Sequence, residues 1–133
     1  MDNLIDVIEN SLPNGFHDSK IFKYHIDNKE QGAEIFLSVD ISDSDSTDGS
    51  VVYKRGKLIL TGLVFFIADP PRPTEKEGKT LNLLCDAGVL EGEKLLKVYP
   101  KGLPEDTFAY WFFLNETNSF IYVGAKGANF EWS

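Results

Sequence analysis

Apolar and polar residues recur with two different periods along this chain. Between Asp2 and Asn10 the apolar residues stand at helical spacing, and the pattern stops before Pro13. From Asp18 onward the spacing changes to two, which is the repeat of a β-strand with unlike faces. The pattern therefore predicts a short amphipathic helix at the N-terminus, followed by strands.

Two alternating stretches come first, joined by a polar turn over residues 28–32. Phe22, Tyr24 and Ile26 share one face of the first stretch, and the second alternates over residues 35–41. Apolar side chains that alternate with polar ones are typical of antiparallel strands that expose one face to water. We expect an antiparallel hairpin here.

Residues 58–68 are apolar on both faces, which indicates a strand buried between two layers. A short strand is expected before it at residues 51–53. Gly62 interrupts the apolar run and indicates a bulge or a bend. The proline-rich segment over residues 69–80 is expected to be a loop.

The rest of the chain continues the strand pattern. Residues 81–85 and 95–99 are strand candidates, and a turn or a single helical turn separates them. The clearest hairpin pairs residues 108–114 with 120–123, and a last short strand is expected at residues 130–132. The sequence predicts a mainly β single domain of about seven to nine strands, either an antiparallel β-sandwich or a strongly curved sheet.

Composition supports one domain with a real core, since the 133 residues are 42% hydrophobic. The 21 acidic and 13 basic residues give a net charge of −8. Such a charge argues against binding to nucleic acid or to anionic membranes, and it is compatible with a basic partner or simply with solubility. The lone Cys85 is expected to be an inert core thiol. A single cysteine and the lack of an apparent signal peptide together predict a cytoplasmic protein.

His17 and Asp18 open the first strand pattern. Consecutive strand residues face opposite ways, so they form a poor catalytic couple. His17 and His25 would lie about 26 Å apart on one strand, too far to share a metal ion. Asp18 is expected to hold the preceding turn, and the alternative is that His17 and Asp18 anchor a partner. No catalytic residue, metal or cofactor is expected.

An acidic loop follows the second strand pattern. Asp43 and Asp45 stand at spacings found in calcium loops, but Asp48 occupies the glycine position and Lys54 the glutamate position. A solvated loop is the simplest interpretation. The alternatives are a calcium site and a contact patch of Asp43, Asp45 and Asp48 for a basic partner.

Aromatic residues are concentrated on the C-terminal hairpin, Tyr110 and Trp111 among them. Adjacent residues must point to opposite faces, so both faces of this hairpin are aromatic. A second layer would bury them. Exposed instead, Tyr110 and Trp111 would suit a protein partner, a second copy of the chain or a sugar ring.

Three segments resemble a group of small bacterial β-rich proteins. They are Phe16-His17-Asp18-Ser19, the apolar strand Leu58-Ile59-Leu60-Thr61-Gly62-Leu63 and the hairpin strand Phe120-Ile121-Tyr122-Val123-Gly124-Ala125. In these segments the chain is similar to immunity proteins of polymorphic toxin systems, such as the immunity protein 50 group. The resemblance implies a cytoplasmic, non-catalytic inhibitor that binds a toxin, for which a basic toxin domain is the expected partner. The alternative is a β-sandwich that binds a small ligand or a carbohydrate.

Overall fold

The computed structural model describes residues 4–16, 19–30, 32–43, 52–68, 84–114 and 119–133. These residues form two short helices and nine strands. In chain order the elements are α1 (Leu4–Ser11), β1 (Pro13–Phe16), β2 (Lys20–Asp27), β3 (Glu34–Asp43), β4 (Val52–Thr61), β5 (Phe65–Ala68), β6 (Leu84–Val89), α2 (Gly92–Val98), β7 (Phe108–Leu114), β8 (Ser119–Ala125) and β9 (Gly127–Trp132).

Eight of the strands form two antiparallel sheets. The first sheet has the order β2-β3-β4-β9 and the second has the order β5-β8-β7-β6, while β1 lies against α1 and β3. Apolar side chains from the facing sides of both sheets share one core, among them Leu37, Leu58, Phe112 and Val123. Of the two predicted architectures, a sandwich and a strongly curved sheet, the structure has the antiparallel sandwich, and the predicted N-terminal helix is confirmed.

The apolar run over residues 58–68 is two strands in two different sheets. β4 ends at Thr61 in the first sheet, and β5 begins at Phe65 in the second. Gly62 makes the bend between them at a φ of +60°, and a Cβ there would lie 2.9 Å from Cβ of Lys126. The expected bend at Gly62 is confirmed, but the single buried strand was wrong because the chain changes layers at that residue.

The edge strand β2 contains a bulge. Its register against β3 shifts between Ile21 and Lys23, so that Ile21 opposes Val39 and Tyr24 opposes Leu37 on the same inner face. Tyr24 and Ile26 remain 42% exposed, because none of the described strands flanks this edge. The predicted hairpin is confirmed, and its outermost strand is only partly covered.

The strand predicted at residues 95–99 was wrong, because this segment belongs to helix α2. Residues 95–99 are mostly apolar, as in a short buried strand, but Leu95 and Val98 are three apart and therefore share a helix face. Both pack against a second, smaller hydrophobic cluster that contains Leu90 and Ala109. Burial of this helical face decides between two patterns that the local sequence allows.

Candidate functional site

The outer face of the second sheet is aromatic where a solvated sheet would be polar. In the β7–β8 hairpin, Trp111 stands opposite Tyr122, and Phe113 stands opposite Phe120. We call these four side chains the aromatic face. All four are half-buried, whereas their neighbours Tyr110 and Phe112 point into the core. The strand alternation thus gives this hairpin two apolar sides.

Helix α2 covers one end of this outer surface. Leu95 and Val98 pack with Leu90 and Phe65, and the ring of Tyr99 stacks on that of Phe65 at 4.7 Å between centroids and 14° between planes. These contacts hold the helix beside the aromatic face. The helix therefore supplies a wall to a surface that would otherwise be flat.

The helix and the aromatic face together enclose a groove, which we call the α2 groove. It is open to solvent on one side and has a volume of about 570 Å³. Half of its described lining is the aromatic face. The other half comes from α2 and the turn before it, and consists of Leu90, Lys94, Lys97 and Val98.

Phe120 is the centre of the aromatic face. Its ring centroid lies 4.8 Å from that of Phe113, 5.5 Å from that of Tyr122 and 6.5 Å from that of Trp111. The Phe120 and Tyr122 rings are nearly parallel, at 4°. Ring pairs at these separations attract each other beyond simple burial, so the floor of the groove is preformed.

Two lysines border the groove, although the net charge of the chain is negative. Among the described residues that line it, the charged side chains are Lys94 and Lys97, on a chain with a net charge of −8. They are three residues apart on α2 and so lie on one helix face. The groove therefore combines an apolar floor with a positive rim.

Tyr110 does not belong to this surface, which corrects its prediction as a contact residue. Its side chain is fully buried, and its hydroxyl lies 2.9 Å from Oδ1 of Asp6 and 3.1 Å from Oε2 of Glu9. Burial, followed by the negative charge of Glu9 and the hydrogen bond to Asp6, raises the pKa of Tyr110 far above its ordinary value. Tyr110 is a protonated donor within the fold. Trp111, by contrast, lines the groove.

The other predicted contact residues stay predictions. His17, Asp18, Asp45 and Asp48 lie outside the described residues, as does the side chain of Asp43, although the backbone of Asp43 ends β3. The proposed anchor role of His17 and Asp18 therefore stays a prediction. The same holds for the calcium site and the contact patch in the acidic loop.

The sequence did not predict that Lys94 and Lys97 line a groove, because a strand was expected at residues 95–99. The signal that would have found it is the helical repeat in which Lys94 and Lys97 are offset by one residue from the apolar pair Leu95 and Val98. That repeat places two cations at the border of an apolar helix face.

No cluster of three or more histidine, cysteine, aspartate or glutamate side chains able to hold a metal ion occurs among the described residues. In the same part of the chain, neither helix has the length and apolarity needed to cross a membrane. Comparison of the chain with protein-family models, with curated proteins and with solved structures found no significant match.

Proposed function

We propose that this chain is a non-catalytic protein-binding module and that the α2 groove is its contact site. One observation carries the proposal: Trp111, Phe113, Phe120 and Tyr122 line a concave surface on the outer side of a sheet. Aromatic side chains are enriched in the buried centres of protein interfaces, and Trp and Tyr are frequent among the residues that dominate binding energy.

The packing of the groove supports the same function. Phe120 contacts three other rings, and α2 is held in place by Leu95, Val98 and Tyr99. Side chains that are already ordered lose little conformational entropy when a partner binds, so the binding free energy is more favourable. A large apolar side chain of a partner would find its pocket preformed.

The more specific proposal is a cytoplasmic immunity protein that blocks a toxin. It is supported by the resemblance described above, since Phe120 and Tyr122 belong to one of the resembling segments and also line the groove. The net charge of −8 would accelerate encounter with a basic toxin domain. Inhibition by occlusion needs no reactive group from this chain.

The two tryptophans provide a matched test of this function. The purified chain is titrated calorimetrically with the product of the toxin-like gene beside its own gene. We expect Trp111→Ala to weaken binding at least about 30-fold, which corresponds to about 2 kcal/mol. Trp132→Ala is the control, because Trp132 is 42% exposed at the end of β9 in the other sheet.

Equal losses for the two variants, or no loss for either, would reject the groove as the contact site. A chromosomal neighbourhood without any toxin-like gene would reject the immunity role. Thermal unfolding of both variants shows whether the fold is intact, so that a loss of binding can be assigned to the groove.

A small-ligand-binding sandwich is the second candidate, and the volume of the groove favours it. About 570 Å³ lies within the range of small-molecule sites, which are mainly apolar with a few polar groups. A thermal-shift screen of sugars and small aromatic acids tests this candidate. If the groove binds a small ligand, at least one compound should raise the melting temperature of the wild-type chain but not that of Trp111→Ala.

A further inference from the structure

We infer that the α2 groove recognises an apolar side chain of the partner protein that lies next to a carboxylate. The inference rests on the proposed protein-binding function and adds the chemistry of the segment that is bound. The aromatic floor would take the apolar side chain, and Lys94 and Lys97 would take the carboxylate.

The two lysines are available for such a contact. Elsewhere in the described residues, Lys29 pairs with Glu34 at 3.0 Å and Arg55 pairs with Asp40 at 3.0 Å. Within that same part of the chain no ion pair involves Lys94 or Lys97. Both side chains are exposed. A bound carboxylate would therefore not have to displace an ion-pair partner among the described residues.

The spacing of the lysines suits one carboxylate or a close pair. Residues three apart on a helix have Cβ atoms about 5–6 Å apart, and long lysine side chains can converge from that distance. Each ammonium group has three donors that rotate freely. The rim can thus hold an acid at more than one position, provided that the acid borders the apolar anchor.

Net charge and rim charge act over different distances. The net charge of −8 guides approach, but salt screens exposed charges beyond about 8 Å at physiological ionic strength. Once the partner is docked, Lys94 and Lys97 act on the bound side chain at short range, because both line the groove. The fitting partner is therefore basic overall and carries an acidic residue beside the apolar side chain that it inserts.

Selection from a peptide library tests this chemistry without knowledge of the partner. A display library of random 12-residue peptides is selected separately on the immobilised full chain, on Lys94→Glu/Lys97→Glu and on Trp111→Ala. From the wild-type chain we expect a consensus with a large aromatic or aliphatic residue next to Asp or Glu. From the charge-reversed chain we expect the same apolar residue next to Lys or Arg.

A synthetic peptide with the wild-type consensus then gives the magnitude. We expect replacement of its acidic residues by Asn or Gln to weaken binding to the wild-type chain at least about tenfold. On the charge-reversed chain the same replacement should not weaken binding at all. Because Lys94 and Lys97 are exposed, this variant is expected to keep its fold, and thermal unfolding checks it.

The outcomes separate the inference from the function on which it rests. An apolar consensus without acidic residues, or an acidic preference that survives charge reversal, would overturn the proposed carboxylate contact. The groove would then remain a protein-binding site. A consensus that is the same on Trp111→Ala, or no consensus on the wild-type chain, overturns the groove itself. Phe113→Ala serves as a second groove variant if Trp111→Ala unfolds, because Phe113 also lines the groove and the change adds no charge.

Discussion

The phenol of Tyr110 donates a hydrogen bond to the carboxylate of Asp6 at 2.9 Å, across 104 positions of sequence. Asp6 lies in α1 and Tyr110 in the middle of β7, so the bond ties the N-terminal helix to the second sheet. Glu9, one helical turn further along α1, lies 3.1 Å from the same hydroxyl. This polar contact thus helps to hold α1 in place, together with the burial of Ile5 in the core.

Tyr110→Phe should destabilise the protein, because it keeps the ring but removes the donor from two partly buried carboxylates. We expect the free energy of unfolding to fall by about 1–3 kcal/mol, the usual cost of leaving a polar group unsatisfied. Urea denaturation measures it. Tyr24→Phe is the control, since Tyr24 is 42% exposed on an edge strand, and it should change stability by less than about 0.5 kcal/mol. Equal stability of Tyr110→Phe and the wild type would contradict the role of this bond.

Stability should also depend on Tyr110 at alkaline pH. The folded state raises the pKa of Tyr110 above the ordinary 10.0, so the unfolded chain loses this proton first as the pH rises. The contribution of Tyr110 is therefore complete below about pH 10 and declines above it. Urea denaturation from about pH 8 to about pH 11 should show a steeper decline for the wild type than for Tyr110→Phe. Parallel curves would mean that Tyr110 ionises equally easily in both states.

Gly62, where the chain passes from the first sheet to the second, should not tolerate a side chain. Gly62→Ala combines an unfavourable φ of +60° with a Cβ 2.9 Å from that of Lys126. Gly92 is the matched control, because its φ is +66° but nothing lies within 4 Å of an added Cβ. The positive φ alone costs about 1–2 kcal/mol, so we expect both variants to lose that much and Gly62→Ala to lose more. Chemical denaturation of the two variants compares them directly, and equal losses would show that Lys126 moves aside freely.

Two adjacent leucines test how α2 is held. Leu95 packs into the second hydrophobic cluster, whereas Leu96 is 52% exposed. We expect Leu95→Ala to cost about 1–2 kcal/mol in unfolding free energy, less than a fully buried leucine, and Leu96→Ala to cost less than about 0.5 kcal/mol. Thermal unfolding measures both. Amide hydrogen exchange should be faster throughout α2 in Leu95→Ala, and unchanged exchange there would show that other contacts hold the helix.

Much of the fold follows from local patterns. The period of two and the turns between the alternating stretches were enough to predict a mainly β antiparallel fold, the N-terminal helix and both hairpins, with the sandwich as one of two architectures. The same alternation requires Tyr110 and Trp111 to face opposite ways. It does not say which of them faces the core, because both flanking sets of residues are apolar. Pairing with β8 and packing against α1 decide which residue faces the core. They place Tyr110 inside and Trp111 in the groove.

Other features depend on contacts between distant parts of the chain. Residues 95–99 satisfy a strand pattern and a helical one equally well, and only the cluster around Leu90 and Ala109 selects the helix. Residues 58–68 give a uniform apolar signal, yet the bend at Gly62 divides them between two sheets. The sequence by itself determined most of the strands and their alternation, since those arise from the backbone repeat and near neighbours. The tertiary structure alone decided which apolar faces meet, because burial depends on residues far apart in sequence, and the α2 groove is a product of that choice.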